Sequence, residues 1–381
     1  MQKPLTTGYC DTKFKNLYQY IQERLASNEE MGCSISAYLD GVKVIDFWGG
    51  WADKEKKIPW QHDTISSTFS VSKALVSTMG HILVDRGIIE LDCPVYKYWS
   101  NFGKNDKKEI LVRHLFDHRC AISYVDKKLN PGDLYNWELM INAVENTKPN
   151  WPPGEKPVYL NMTYGYLLGG LIYKLTGKRI GQFNRDHLCG ILGIDYNFAL
   201  RNQELKRVAK IYSKKISEEL FKENDNHQTL FDRTMQGFAE NEDFNSLSWQ
   251  TNEVGSGQGH GNARSISNLF EMLRSGGIYN NTRIMKPETI DQAIQFQCSS
   301  DGNDPVMGIP VKFALGYQLN SPNFPMGPNP NSFGHWGAGG SFGFADLEAK
   351  VSFGYCPNLM HNNSEVPELG ADLTKELYQS I

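Results

Sequence analysis

The chain has 381 residues with 39 Lys and Arg against 43 Asp and Glu, a formal net charge of -4. That length buries a sizeable core and suits one large domain or two medium ones, and the slight negative balance gives nucleic acid or an anionic membrane no electrostatic hold. No apolar run approaches the roughly 18 to 20 residues of a bilayer span. "MQKPLTTGYCDTKFKNLYQY" lacks the apolar stretch of a signal peptide, so a cytoplasmic location is expected.

In chain order, Phe14, Leu17, Tyr18, Ile21 and Leu25 share one face of a predicted helix. "SISAYLDGVKVIDFWGG" then alternates Ile35, Ala37 and Leu39, turns at Asp40-Gly41 and resumes with Val42, Val44, Ile45 and Phe47, the pattern of a tight antiparallel hairpin. Residues from about 70 to 275 carry helical periodicity and loops, including "YGYLLGGLIYKLTG" with its terminal glycine as a stop signal. The polar run "SKKISEELFKENDNHQ" is expected to be a solvated helix and loop. "SFGHWGAGGSFGFADLEAKVSFGYC" offers three short strands, broken at Gly339-Gly340 and at 346–349. After Pro367, Leu369, Leu373 and Leu377 mark a closing helix.

These elements predict a mixed α/β (α+β) architecture: one antiparallel sheet from both chain ends with covering helices, and a mainly helical region inserted between its halves. The expected organisation is a single domain over 1–381, with sheet and helix parts at 1–80 and 265–381 and the insertion at 81–264. The seven cysteines, at 10, 33, 93, 120, 189, 298 and 356, never form a C-x-x-C pair. Free thiols are therefore expected rather than a disulfide framework or a zinc cage, and no metal or cofactor is called for.

The chemistry concentrates at "STFSVSKALVSTMGHIL". Ser70 and Lys73, three apart at the start of an apolar helix, share a face, so the ammonium group reaches the hydroxyl. A serine needs a base to become nucleophilic, and burial lowers a lysine pKa enough to make one. The helix N-terminus helps in both respects, disfavouring the cation and favouring an anion at the serine.

Four letters are too few for a reading, since S-x-x-K arises often by chance. Here, however, Tyr159-Leu160-Asn161 follow just before a helix, and His335-Trp336-Gly337 lie on a predicted strand, in the order that β-lactamases and penicillin-binding proteins use for their second and third motifs. The chain resembles the serine β-lactamase and penicillin-binding-protein superfamily over nearly its whole length, and within it the class C-like branch holding family VIII carboxylesterases and the eukaryotic β-lactamase-like proteins. "GHILVDRGIIELDCPVYKYW", "ILVRHLFDHRCAI" and "GNARSISNLFEML" carry that resemblance as well.

The resemblance implies a β-lactamase/transpeptidase-like fold with Ser70 as the acylated nucleophile, Lys73 as its base or proton relay and Tyr159 as the partner exchanging protons with serine and leaving group. It further implies that Asn161 holds the substrate and the lysine, that His335, Trp336 and Gly337 line the cleft wall, with a core-facing Trp336 as the alternative for that residue, and that the backbone N–H groups of Ser70 and Ala338 form the oxyanion hole. One such donor is typically worth roughly 3 to 4 kcal/mol of barrier.

The third motif reads H-W-G where penicillin-recognising relatives carry a lysine that helps bind a carboxylate. A histidine is mostly neutral at pH 7, which tilts the expectation towards a small-molecule neutral ester; a β-lactam or D-amino-acid peptide substrate is the enzymatic alternative, and a catalytically idle scaffold the non-enzymatic one. Oligomeric state is left open. Cys120, where relatives carry a small residue, is expected to be a buried filler.

Three further patterns compete. "GGSFG" matches a G-x-S-x-G elbow, with Asp346 and His361 following, but it precedes strands rather than a helix. His114 and His118 stand at i, i+4 without the glutamate of a zincin helix. "VGSGQGHGN" lacks dinucleotide-loop spacing, and its loop is expected to approach the cleft.

Overall fold

The structure, a computed structural model, describes residues 6–213, 229–238, 243–362 and 366–381. Most of the polar run beginning at Ser213 therefore lies outside the described residues. The chain opens with β1 (Thr7–Cys10) and α1 (Lys15–Ser27), whose apolar stripe of Phe14, Leu17, Ile21 and Leu25 is buried as its spacing requires. Two long strands follow, β2 (Gly32–Leu39) and β3 (Val42–Asp53). They are joined by Asp40 and Gly41 at φ 49° and 82°, the doubly positive geometry that a right-twisted hairpin favours.

Next come two buried helices, α2 (Val71–Asp85) and α3 (Thr163–Thr176), the second stopped by Gly177 at φ 69°. Gly80 of α2 sits tightly against Phe116 and Leu168, so the two helices approach closely. Then α4 (Ala263–Arg274) begins under an Asn262 cap whose side chain accepts from the Ser265 N–H. The sheet resumes with β4 (Cys298–Ser299), β5 (Lys312–Phe313), β6 (Gln318–Leu319), β7 (Phe333–Trp336), β8 (Phe342–Asp346) and β9 (Val351–Pro357), before the closing helix α5 (Val366–Tyr378).

The strands run β1-β3-β2-β9-β8-β7-β6-β5-β4, every neighbour antiparallel, so β9 from the end of the chain pairs with β2 from its beginning. A bulge at Ala37/Tyr38 shifts the hairpin register. One face is covered by α1 and α5: Tyr18 packs edge-on to Phe47, and Tyr378 stacks on Phe344. On the other face α4 lies so close that a Cβ on Gly343 would collide with Ile266, and one on Gly354 with the Ala263 carbonyl. No described helix is long and apolar enough to cross a membrane.

Candidate active site

Ser70 sits at the mouth of α2 as its N-cap, at φ -70° and ψ -5°, and its side chain caps no backbone group. The preceding Phe69 is at φ 48°, a left-handed conformation that a bulky residue adopts only under constraint. The constraint is visible. Phe69 is buried against Ile211, Trp249 and Met360, with Phe244 edge-on to it at 4.9 Å, and the Trp249 indole N–H donates to Ser67 at 3.1 Å. Thr68 donates from its backbone to the Gly259 carbonyl, while its own carbonyl accepts from Val71 and from the Ser341 hydroxyl. The turn presenting Ser70 is thus fixed on every side except the one its hydroxyl faces.

Lys73, one turn on, is 1% exposed, and its Nζ lies 3.0 Å from Ser70 Oγ and 2.9 Å from the Ser256 carbonyl. Burial holds its pKa well below the ordinary lysine value. A neutral amine fits both contacts: one N–H donates to Ser256 and the lone pair accepts the Ser70 proton. Ser256 lies in "VGSGQGHGN", so that glycine-rich loop does approach the cleft, and the Ser256 hydroxyl bridges the Met162 carbonyl and the Gly165 N–H at the start of α3.

Tyr159 lies beside the lysine, its ring centroid 4.8 Å from Lys73 Nζ. Burial pushes its phenol above the usual value, and the nearby Ser70 hydroxyl works against the rise. Burial thus disfavours the Lys73 cation and the Tyr159 phenolate alike around one serine hydroxyl.

Asn161 is buried nearby, but its amide donates to Thr234 Oγ1 at 2.8 Å and to Met235 Sδ at 3.3 Å. In place of the expected bond between Asn161 and Lys73, Lys73 donates to the Ser256 carbonyl, while the Asn161 NH2 is turned to the segment at 229–235.

His335 faces α2, as strand alternation dictates. Phe333, two residues before it, meets Phe270 of α4, and Gly343, its cross-strand partner, lies under the same helix. Burial first, and then the charge of Lys73, bring the His335 pKa down to about 3. Its Nδ1 donates to the Trp336 carbonyl at 2.8 Å, which leaves Nε2 as an acceptor without a protein partner. Both effects favour the uncharged imidazole at this position.

Trp336 requires a correction. It points to the other face of the sheet, stacked on Phe342 at 3.9 Å and 2°, with its ring against Gly370 of α5. The one-residue step from His335 decides this, since neighbouring strand positions face opposite sides. Gly337 contributes closeness rather than a contact with ligand: a Cβ there would stand 2.3 Å from the Thr68 carbonyl oxygen. Ala338 beyond it is exposed, and its backbone N–H, like that of Ser70, donates to no acceptor among the described residues.

The competing patterns dissolve. Ser341 is spent on the Thr68 carbonyl, Asp346 accepts from Asn329 and Tyr378, and His361 pairs with Glu30. His114 and His118 do not share a helix, since the short helix Val112–Phe116 that carries His114 ends before His118, which is at φ 65°. His118 belongs to the site instead: its Nδ1 accepts from the Leu160 N–H at 3.1 Å, and its ring lies 5.2 Å from that of Tyr159. Cys120 is fully buried. Ser256, His118 and the Asn161 partner Thr234 escape sequence reasoning because they are joined to the motifs only through space.

A nucleophile, a buried amine and a phenol beside two open N–H groups on a two-ended antiparallel sheet define the superfamily of serine β-lactamases and penicillin-binding proteins. The Beta-lactamase family model matches residues 17–375, and the chain belongs to that family. It is 26% identical over 96% of its length to the Esterase/beta-lactamase LipL of Mycobacterium tuberculosis, covering 85% of that protein. Among solved structures it is similar to a family VIII carboxylesterase, with a TM-score of 0.89 at 28% identity over 99% of this chain and 100% of the other. A penicillin-binding protein homologue from Caulobacter crescentus gives a TM-score of 0.87 at 25% identity with the same coverage. These relatives support a serine hydrolase.

Proposed function

We propose that the protein is a carboxylesterase that cleaves small or medium neutral acyl esters through an acyl-enzyme on Ser70. The observation that carries the reading is the wholly buried Lys73 amine 3.0 Å from Ser70 Oγ, with a neutral histidine at the position where a carboxylate-binding lysine would stand. Lys73 takes the Ser70 proton as Oγ attacks the ester carbonyl. The oxyanion forms between the N–H groups of Ser70 and Ala338. The proton then passes from Lys73 through the Tyr159 phenol to the departing alkoxide, and water reverses the sequence to free the acid.

The substrate preference follows from charge. His335 keeps its Nδ1 proton but carries no charge at neutral pH, so a free carboxylate beside it gains no ion pair for the cost of leaving water. The name of the mycobacterial relative joins esterase with β-lactamase, and a lactam arm belongs in the test for that reason.

The test is hydrolysis of p-nitrophenyl esters from acetate to decanoate by the wild type and Ser70→Ala, with a chromogenic cephalosporin beside them. Ester turnover is expected, abolished by Ser70→Ala, with little or no lactam turnover. Full ester turnover in folded Ser70→Ala, or lactam turnover exceeding that of every ester, overturns the reading.

A further inference from the structure

Asp304 lies outside all three motifs, yet its carboxylate is fully buried and accepts three backbone N–H groups. Oδ1 takes those of Val306 and Met307, each at 2.9 Å, and Oδ2 takes that of Tyr159, also at 2.9 Å. The first two bonds come from its own loop and lock the side-chain rotamer. The third reaches across 145 positions of sequence to the residue whose phenol adjoins Ser70.

Hydrogen bonds to an ionised carboxylate are among the strongest a backbone N–H can make. Tyr159 precedes α3 and belongs to no helix or strand, so no regular ladder orients its peptide. Its neighbour Leu160 is held separately, by His118 Nδ1. The Val158 N–H reaches the His118 carbonyl and the Tyr159 carbonyl takes the Asn161 N–H, while the Asp304 carboxylate holds the Tyr159 N–H itself, the bond that enters this stretch from the later part of the chain.

We propose that Asp304 is a positioning residue: its carboxylate fixes the Tyr159 peptide and so aims the phenol at Ser70. This rests on the reading of Tyr159 as the proton-transfer partner. The phenol is faced by Ser70 and Lys73 from α2, by the neutral His118 ring from the 117–123 segment, by Phe313 from β5 and by Asp304. Among these, the negative charge of Asp304 adds to burial in keeping the phenol protonated.

Asp304→Asn keeps an oxygen for Val306 and Met307 but turns an amide NH2 towards the Tyr159 N–H. Steady-state kinetics on the best p-nitrophenyl ester are measured for the wild type, Asp304→Asn, Tyr159→Phe and the double variant, each with a melting curve. In Asp304→Asn, kcat is expected to fall about 10- to 100-fold with KM within about twofold. In the Tyr159→Phe background the same substitution is expected to cost nothing further.

An equal loss in both backgrounds, or kcat within about twofold of wild type in the single variant, overturns the inference. If Asp304→Asn does not fold, Asp304→Glu, which keeps the charge and lengthens the arm, is put through the same cycle. Wild-type kcat in Tyr159→Phe instead removes the role of Tyr159 on which the inference rests. Turnover that survives Ser70→Ala strikes at the proposed function itself, so the failures are distinguishable.

Discussion

Gly337→Ala probes how the two halves of the site are held together. Gly337 is at φ -110°, so an alanine there meets no backbone strain, only collision. Its Cβ would stand 2.3 Å from the Thr68 carbonyl oxygen, 2.4 Å from Ser341 Oγ and 3.2 Å from Phe69 Cβ. The first distance falls about 1 Å short of ordinary contact at 3.4 Å. The Thr68 carbonyl cannot swing aside without giving up the Val71 N–H and the Ser341 hydroxyl. The strand end must yield, and the Ala338 N–H goes with it.

A displacement of that size from a productive geometry costs about 10²-fold in rate, close to the loss of one oxyanion donor. Overpacking of this kind adds roughly 1 to 3 kcal/mol of destabilisation. Gly337→Ala should therefore lower kcat for p-nitrophenyl acetate about 10²-fold and slow fluorophosphonate labelling of Ser70, in protein that still melts cooperatively. Gly87→Ala is the control: it sits at φ 65° in open space, so it carries about 1 to 2 kcal/mol of conformational strain with kcat unchanged. Wild-type kcat in Gly337→Ala, with only its melting temperature lowered, would refute the coupling between the strand end and the serine turn.

Lys73→Met should lower ester turnover roughly 10²- to 10⁴-fold while raising the melting temperature at neutral pH. The sign follows from the depressed pKa: between the folded value and the unfolded value near 10.4, the unfolded chain binds a proton that the folded one does not, so the buried amine costs stability there and the cost shrinks as pH rises. The wild-type advantage of neutral Lys73 also gives an acid limb to kcat/KM that a pH profile reads directly; a profile flat down to mildly acidic pH is compatible with a strongly depressed value, but one falling only near pH 10 is not. Trp336→Ala should cost about 3 to 5 kcal/mol by chemical denaturation, with KM for esters within about twofold, because the indole packs on Phe342 and α5. A raised KM at unchanged stability would return that indole to the cleft.

The sheet was legible because hairpins and strands announce themselves locally. Asp40-Gly41 states its turn by conformational freedom, and the stripe from Phe14 to Leu25 its helix by period. Ser70 and Lys73 were legible for the same reason, since three residues on a helix are neighbours whatever the rest of the chain does. Trp336 was not, because strand alternation says that it and His335 face opposite ways without saying which face holds the serine. Asn161 was misread for a different reason: its amide finds whichever partner the later segment at 229–235 brings, and residue types do not rank such partners.

By itself, then, the sequence determined the adjacency of the Ser70 hydroxyl and the Lys73 amine, the order of the three motifs and the strands at the chain ends, all of which depend on short spacings and covalent geometry. The tertiary structure alone decided the chemical state of these groups. The Lys73 pKa falls because burial takes the amine out of water, and the groups that enclose it, among them the Ser256 carbonyl, the Tyr159 ring and the buried body of α2, come from separate parts of the chain. It likewise took folding to bring Asp304 under Tyr159 and the Thr68 carbonyl against Gly337, contacts between distant segments that no local pattern encodes.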